Sequence, residues 1–455
     1  MAMGKRRGEQ QELLVATTSL PQSPGHPFYQ KLNGLLAEAR FDEYVEKRCR
    51  PYYAEGVGRP GIAPGVYFRM LFIGYFEGLA SQRAIAWRCS DSRSLQGFLG
   101  YSIIDPTPEH SSLTVIRKRL PLSIHEEVFT RVLAIAHEKK LLKGKSAAVD
   151  STYIEAEAAM KSIVRQDTGE DWKEYLRKLA IESGMENPTD EDLRKFDRNR
   201  PNKKVSNEEW VSSTDADSRI ARMKDGTTHL AYKTEHAVDV ESDLILAAAV
   251  YAADEADPAT LPKTLALAQT NLVLTGSEAE IRDVAADKGY HSNECVTWCD
   301  SMGVRTYIPE RESRYDRRWT DKSPEEQVAV YKNRRRVRGK RGKALGRLRS
   351  EYVERSFAHV CETGGARRSR LRGLINVAKR YLMYVVARNL GVIMRALFNM
   401  GTPKGLQKGM GACPRALGAW FTRLSNALHT LLETGRVCVG TGPIHTPGFS
   451  ALHAA

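Results

Sequence analysis

Residues 146–156 read SAAVDSTYIEA. Small, β-branched and aromatic side chains follow one another without three- and four-residue spacing, so the stretch predicts a strand with Asp150 among its apolar residues. A carboxylate there costs on the order of several kcal/mol unless it is hydrogen-bonded or binds a metal ion. Asp150 is therefore a candidate metal ligand, and a hydrogen bond to Ser151 or Thr152 is the bland alternative.

Upstream, residues 27–142 read as helices: Val66, Met70, Leu71, Tyr75 and Leu79 form one apolar stripe. Thr107 and Pro108 supply an N-cap and a first-turn proline for PEHSSLTVIRKRL (108–120), which ends in Arg117, Lys118 and Arg119. This is half of a helix-turn-helix or a bundle helix with a basic end. Downstream, residues 155–228 form a polar insertion with helical pieces near 170–183 and 189–197. HLAYKTEHAVDV and LILAAAVYAA, separated by ESD, predict a hairpin in which Asp239 caps the turn. A helix at about 258–271, a short strand in IRDVAADKGY, a helix opened by Ser292 and a strand in VRTYIPE follow. Strands first in hairpin order and then alternating with helices predict a mixed α/β sheet with helices on its faces.

Two further acids draw attention. Asp287 closes the strand VAAD ahead of Lys288 and Gly289, at the carboxyl end where open α/β sheets place their ligands. Asp283, on the same face by period two, is expected to face solvent. Glu354 shares a helical face with Phe357, Ala358 and Cys361, which predicts a carboxylate along the apolar stripe, whereas Glu351 meets Arg355 as an exposed i,i+4 pair. Asp215, Asp217, Asp254 and Asp257 compete for the same role.

With 69 Lys and Arg against 55 Asp and Glu, the net charge of +14 favours a polyanionic partner. Between 327 and 350 there is no acid, while Lys332, Arg334, Arg335, Arg336, Arg338, Lys340, Arg341, Lys343, Arg347 and Arg349 form a basic run suited to phosphates or a solvated arm. Trp319 and Tyr315 beside it could stack on a base, although packing is the commoner role. The seven cysteines are scattered, and Cys295 and Cys299 read as a helix face rather than a zinc site. No secretory signal follows the basic start, and the apolar run Tyr381–Phe398 is broken by Arg388, Asn389 and Arg395, so the chain is expected in the cytoplasm, at the bacterial nucleoid, with no membrane span.

AVDST (148–152), VAADKGY (284–290) and VERSF (353–357), in that order, resemble the three acidic motifs of the DDE transposases of bacterial insertion sequences, in the group related to insertion sequences four and five. PEHSSLTVIRKRL and YFRMLFIGYFEGLASQRAIAWRC are similar to that family's N-terminal helical domain, and STDADSR with AYKTEHAVDV to the stretch between the first two acids. The resemblance runs from about 28 to 395. It implies an RNase H-like mixed sheet flanked by helices, preceded by an all-helical DNA-binding domain. It also implies Asp150, Asp287 and Glu354 as catalytic triad and ligands of two Mg²⁺ or Mn²⁺ ions, and double-stranded DNA as partner, with the protein pairing element ends as a homodimer. Arg117, Lys118, Arg119, the basic run and Arg355 would contact DNA. A Tyr, Arg, Glu, Lys signature of some relatives is not matched, since Ser350 and Cys361 stand at its Arg and Lys positions. The expected division is a flexible 1–26, a helical domain at 27–144, a catalytic domain at 145–400 and a poorly ordered tail at 401–455. The alternative is a transposase-derived protein that binds DNA without cutting.

Overall fold

The structure, a computed structural model, describes residues 25–54, 61–200, 206–223, 225–312, 319–320 and 322–405. The expectations for most of 1–26, for the tail beyond 405, and for Tyr315, Cys413 and Cys438 lie outside the described residues.

The chain opens with α1 (Pro27–Glu38), α2 (Phe41–Cys49), α3 (Pro64–Glu77), α4 (Gln82–Asp91), α5 (Arg93–Leu99), α6 (His110–Arg119) and α7 (Leu122–Glu138). The stripe expected on α3 widens to the whole helix: Tyr67 to Phe76 are all buried, as in a helix enclosed on every side. Arg69 is tolerated there because Asp42 takes two of its N–H groups at 2.7 and 3.0 Å, and Asn33 and Phe98 O accept the others. α6 starts later than expected. Pro108 and Glu109 stay extended, Glu109 is the N-cap, and no side chain caps the helix. Its place is set by burial of Leu113 and Ile116 rather than by a Thr107 cap.

His125, on α7, is fully buried between Tyr67 Oη at 3.3 Å and Pro121 O at 3.0 Å, and burial pushes its imidazole down to about 4. The unfolded chain takes up this proton below its ordinary value of 6.5, which the folded chain refuses until about 4. This contribution to stability is therefore complete above 6.5 and is lost as the pH falls towards 4. Urea unfolding is expected to show a loss of about 2 kcal/mol between pH 7 and pH 5 that a His125→Asn protein lacks.

Then comes β1 (Ser146–Glu155), as expected. The polar segment after it holds β2 (Ile163–Arg165), α8 (Trp172–Glu182), α9 (Asp190–Asn199), β3 (Trp210–Ser212) and β4 (Arg219–Arg222). Capping boxes Asp171/Glu174 and Thr189/Asp192 open its helices, and Leu176, Ala180 and Leu193 form a small core of its own with Trp172 and Phe196. The hairpin is β5 (Thr228–Asp239) and β6 (Ile245–Ala252). α10 (Asp257–Leu274), β7 (Asp283–Ala285), α11 (Asn293–Ser301) and β8 (Arg305–Tyr307) follow. The basic run is a pair of helices, α12 (Pro324–Arg338) and α13 (Lys340–Phe357). One π-turn (Ala358–Thr363) and a loop lead to α14 (Leu374–Phe398).

β4 and β6 share one edge of β5, which continues to β1, β7 and β8. β1, β7 and β8 are parallel and β5 runs against them, so the sheet is mixed and RNase H-like. α14 is the one described helix long and apolar enough to cross a membrane, yet most of it is buried inside the protein, against α3, α7 and β6. Its Arg388, 1% exposed, pairs with Asp243 Oδ1 at 2.5 Å, and Asn389 bonds both Ile245 N and Ile245 O. Such polar anchoring marks a protein core helix.

Candidate active site

Asp150 lies mid-way along β1. The parallel register Ser146↔Asp283, Ala147↔Val284, Ala148↔Ala285, carried two residues on, brings Asp287 level with Asp150 on the neighbouring chain. Pairing stops at Ala285, and Asp287 then caps the single turn Lys288–Tyr290 by accepting Gly289 N–H at 2.7 Å. Asp150 Oδ1 accepts Ser151 N–H at 2.8 Å, and Oδ2 accepts from Arg349 Nη1 at 2.7 Å. The hydrogen bond to Ser151 expected of the bland alternative is therefore made, while the Asp150 side chain keeps 24% of its surface.

α13 lies across this part of the sheet. Ser356 Oγ is 2.8 Å from His236 Nδ1, and the Phe357 ring stacks on His236 at 4.1 Å. His236 pairs with Asp150 in the β1–β5 register. Its other ring nitrogen meets Tyr381 Oη at 2.8 Å, and burial holds its imidazole well below the usual range, hence neutral. His236 therefore fixes α13 and α14 on the strand beside Asp150.

Glu354 sits about 100° round α13 from the buried Val353, and it is exposed. The burial expected of it fails: Phe357 and Cys361 are buried, but Ala358, on its other side, is exposed too. Glu351 pairs with Arg355 as expected. Among the described residues no three of His, Cys, Asp and Glu converge to hold one ion. Asp150 stands mid-way along β1, Asp287 just past the end of the neighbouring β7, and Glu354 on the flank of the adjoining helix.

The other face of the sheet carries groups that the sequence reading passed over. Lys233, 2% exposed, reaches Asp257 Oδ1 at 2.7 Å, Thr260 Oγ1 at 2.9 Å and Glu255 O at 3.0 Å. Ser151 Oγ donates to the same Asp257 oxygen at 3.1 Å. Glu235, fully buried, accepts from Thr260 and from Tyr290 Oη at 2.8 Å, and burial raises its carboxyl above the usual range. A Cβ added to Gly289 would lie 2.8 Å from Asp287 Oδ1 and 2.9 Å from Asp257 Oδ2, so both carboxylates crowd one small volume and only glycine fits between them. The signal was legible: Lys233, Glu235 and His236 interrupt a strand as Asp150 does. Asp287 and Asp257, which crowd the space beside Gly289, are oxygen donors of the kind a hard divalent cation takes, and such an ion needs only one or two carboxylates plus water and phosphate oxygens.

The remaining acids have structural posts. Asp239 caps the hairpin, accepting from Ser242 Oγ at 2.6 Å and from Lys143 and Gly144 N–H. Asp215 accepts from Tyr232 Oη and Gly373 N–H, and Asp217 from Leu374 N–H. Asp254 pairs loosely with Arg219 at 3.6 Å. Asp283 does not face solvent. It is 2% exposed on a central strand covered on both faces, neutralised by Arg305 at 2.8 Å and by Arg341.

The basic run divides. Lys332 pairs with Asp300, Arg334 with Glu310, Arg341 with Asp283 and Arg349 with Asp150, while Arg336 bonds Thr306. Arg335, Arg338, Lys340, Lys343 and Arg347 are exposed. Trp319 packs against Tyr331 at 5.5 Å. On α6, Lys118 and Arg119 are exposed but Arg117 is turned partly inward. Cys295 and Cys299 lie on the buried face of α11 as free thiols.

Residues 148–390 match the family described as the transposase DDE domain, and residues 19–119 match the family described as a transposase domain, DUF772. No curated protein and no solved structure matches the chain.

Proposed function

Because the chain belongs to the DDE transposases of insertion sequences, we propose that it binds the terminal inverted repeats of its own element and cuts and joins DNA strands there. The observation that carries this reading is that Asp150, mid-way along β1, and Asp287, just past the end of β7, belong to neighbouring parallel strands that α13 packs against. Asp150, Asp287 and Glu354 would hold Mg²⁺ or Mn²⁺, two ions in all, with Asp257 close to Asp287. Bound there, the metal would supply Lewis acidity that makes a water or a terminal 3′-hydroxyl nucleophilic and steadies the leaving oxygen.

The protein's own groups do the rest. Arg349, which now donates to Asp150 Oδ2 at 2.7 Å, would be free to meet phosphate with an equivalent charge-assisted bond if that carboxylate held a metal ion. Lys233 and Ser151 hold Asp257 in place. Arg335, Arg338, Lys340, Lys343 and Arg347 neutralise the backbone of the duplex, with Arg355 at the far end of α13. Lys118 and Arg119 lie at the end of a helix that would approach the repeat. A homodimer on DNA would pair the two ends, in the cytoplasm at the nucleoid.

The test is incubation with duplex DNA carrying the inverted repeats that flank the reading frame, with and without Mg²⁺. Nicking at the repeat ends followed by joining is expected. Tight binding with no cut in Mg²⁺ or Mn²⁺ would favour a binding protein without catalysis, and absence of binding would remove the reading altogether.

A further inference from the structure

The loop between the π-turn and α14, GARRSRLRG (365–373), carries four arginines and no acid. It is held rigidly. Glu155 N donates to Arg367 O at 3.0 Å and Ser369 N to Glu155 O at 2.8 Å, so the loop runs beside the last residue of β1. Between this loop, the start of α4 and α14 lies a cavity of about 170 Å³, lined by Ser81, Gln82, Arg368, Arg370, Arg380 and Tyr384 among others. At about 30 Å³ per water it is roomy enough for a phosphate group.

Its cations are poorly matched within the protein. Arg368 meets Glu155 and Glu157 only at 3.7 and 3.9 Å, and Arg370 meets Glu157 at 3.9 Å. Both guanidiniums are about half exposed, so these pairs hold little energy and give way readily. Arg380 lies over the Tyr384 ring at 4.8 Å and donates from Nη2 to Leu79 O at a long 3.4 Å. Its Nη1 is buried with no acceptor among the described residues, as are Nε and Nη1 of Arg117. Lys379, itself buried, donates to Arg117 O at 3.2 Å. Burial, then the neighbouring Arg380, holds Arg117 below its usual range, and Lys379 is held down by burial and by Arg117. Three cations are thus crowded without a carboxylate between them. Buried N–H groups lacking acceptors destabilise the fold, and an anion's oxygens within reach of Arg380 Nη1 would relieve that.

We propose that this cavity is a docking site for a backbone phosphate of the DNA, held by Arg368, Arg370 and Arg380 with Arg117 and Lys379 behind them. The assignment rests on the DNA-cutting reading above. Arg117, which does not line the cavity, would add its charge from behind Arg380 rather than touch the phosphate. Glu155, beside the loop, is five residues along β1 from Asp150, about 16 Å, so the clamped phosphate is not the one being cut.

The test compares the wild-type protein with Arg368→Gln/Arg370→Gln, whose half-exposed positions leave folding intact. Each binds a duplex carrying the terminal repeat over a range of salt concentrations, and then the same duplex with single methylphosphonate linkages. The variant is expected to bind on the order of tenfold more weakly. Its plot of log affinity against log salt is expected to be shallower by about 1, the share of a single phosphate. Among the single neutral linkages, one away from the cut should weaken the wild type and leave the variant unchanged. Wild-type binding with an unaltered slope in the variant would overturn the clamp and leave the transposase reading standing. So would heat protection by inorganic phosphate that the variant loses while its DNA binding stays normal, since the occupant would then be a free anion. A wild-type protein that binds no DNA would overturn the underlying reading itself.

Discussion

Asp150→Asn and Asp287→Asn proteins are each expected to lose Mg²⁺-dependent strand cleavage by on the order of 10³-fold or more while still binding the repeat DNA. Both substitutions keep the shape and one acceptor oxygen. In Asp287→Asn that oxygen still caps Gly289 N–H, now bonded at 2.7 Å. In Asp150→Asn it still accepts Ser151 N–H, and Arg349, released from its 2.7 Å pair, gains freedom to meet phosphate. The fold therefore survives and only the negative charge needed for a metal is lost. Gel assays of nicking and joining beside a binding assay separate the two effects, and full activity in either protein would take that residue out of the site. The same assay ranks the acids whose roles are unequal in geometry. Glu354→Gln changes an exposed side chain, so any loss of cleavage in it reports chemistry rather than stability. Glu351→Gln, which only opens the exposed pair with Arg355, should be mild. Asp257→Asn tests whether the carboxylate crowding Gly289 is a fourth member of the set.

The sheet was legible in the sequence because its strands are local signals: SAAVDSTYIEA and the β5–β6 hairpin carry their own periodicity and turn residues. β2, β3 and β4, at three or four residues each, are too short for a period to register, and they form only because partners are supplied from elsewhere in the chain. Asp150 and Asp287 could be found as single misplaced charges. Glu354 was reached through helical phase, and phase alone did not reveal which side of α13 the sheet would cover. That is decided by Ser356 and Phe357 meeting His236, 120 residues away from Ser356. The basic run looks uniform in the sequence, yet half of it is spent on Asp283, Asp300, Glu310, Thr306 and Asp150, partners that only the fold brings near. Lys233 and Glu235 stand out in the sequence only as charges that interrupt a strand, and nothing local tells that they are buried partners.

Those two residues give the second large effect. Lys233→Met is expected to cost about 3–5 kcal/mol of stability near neutral pH, because Lys233 is the cation that faces Asp257 at 2.7 Å and Glu235 at 3.9 Å. Asp257 keeps about a third of its side-chain surface and can be hydrated, but Glu235 keeps none. Without Lys233, Glu235 escapes its unpaired charge by taking a proton, and its carboxyl, already raised by burial, rises further. A carboxyl raised above its unfolded value contributes stability that is present at low pH and is lost as the pH climbs through the folded value. The deficit of the Lys233→Met protein should therefore widen between pH 5 and pH 8 in urea titrations. Adding Glu235→Gln should remove that widening, because the amide has no proton to take up and can still accept from Thr260 and Tyr290 through its oxygen. A deficit equal at both pH values would mean that Lys233 acts through packing and Asp257 alone. A deficit that widens and is then cancelled by Glu235→Gln would show that the floor beneath Asp150 and Asp287 is held by a buried ion pair, with Ser151 as its link to β1.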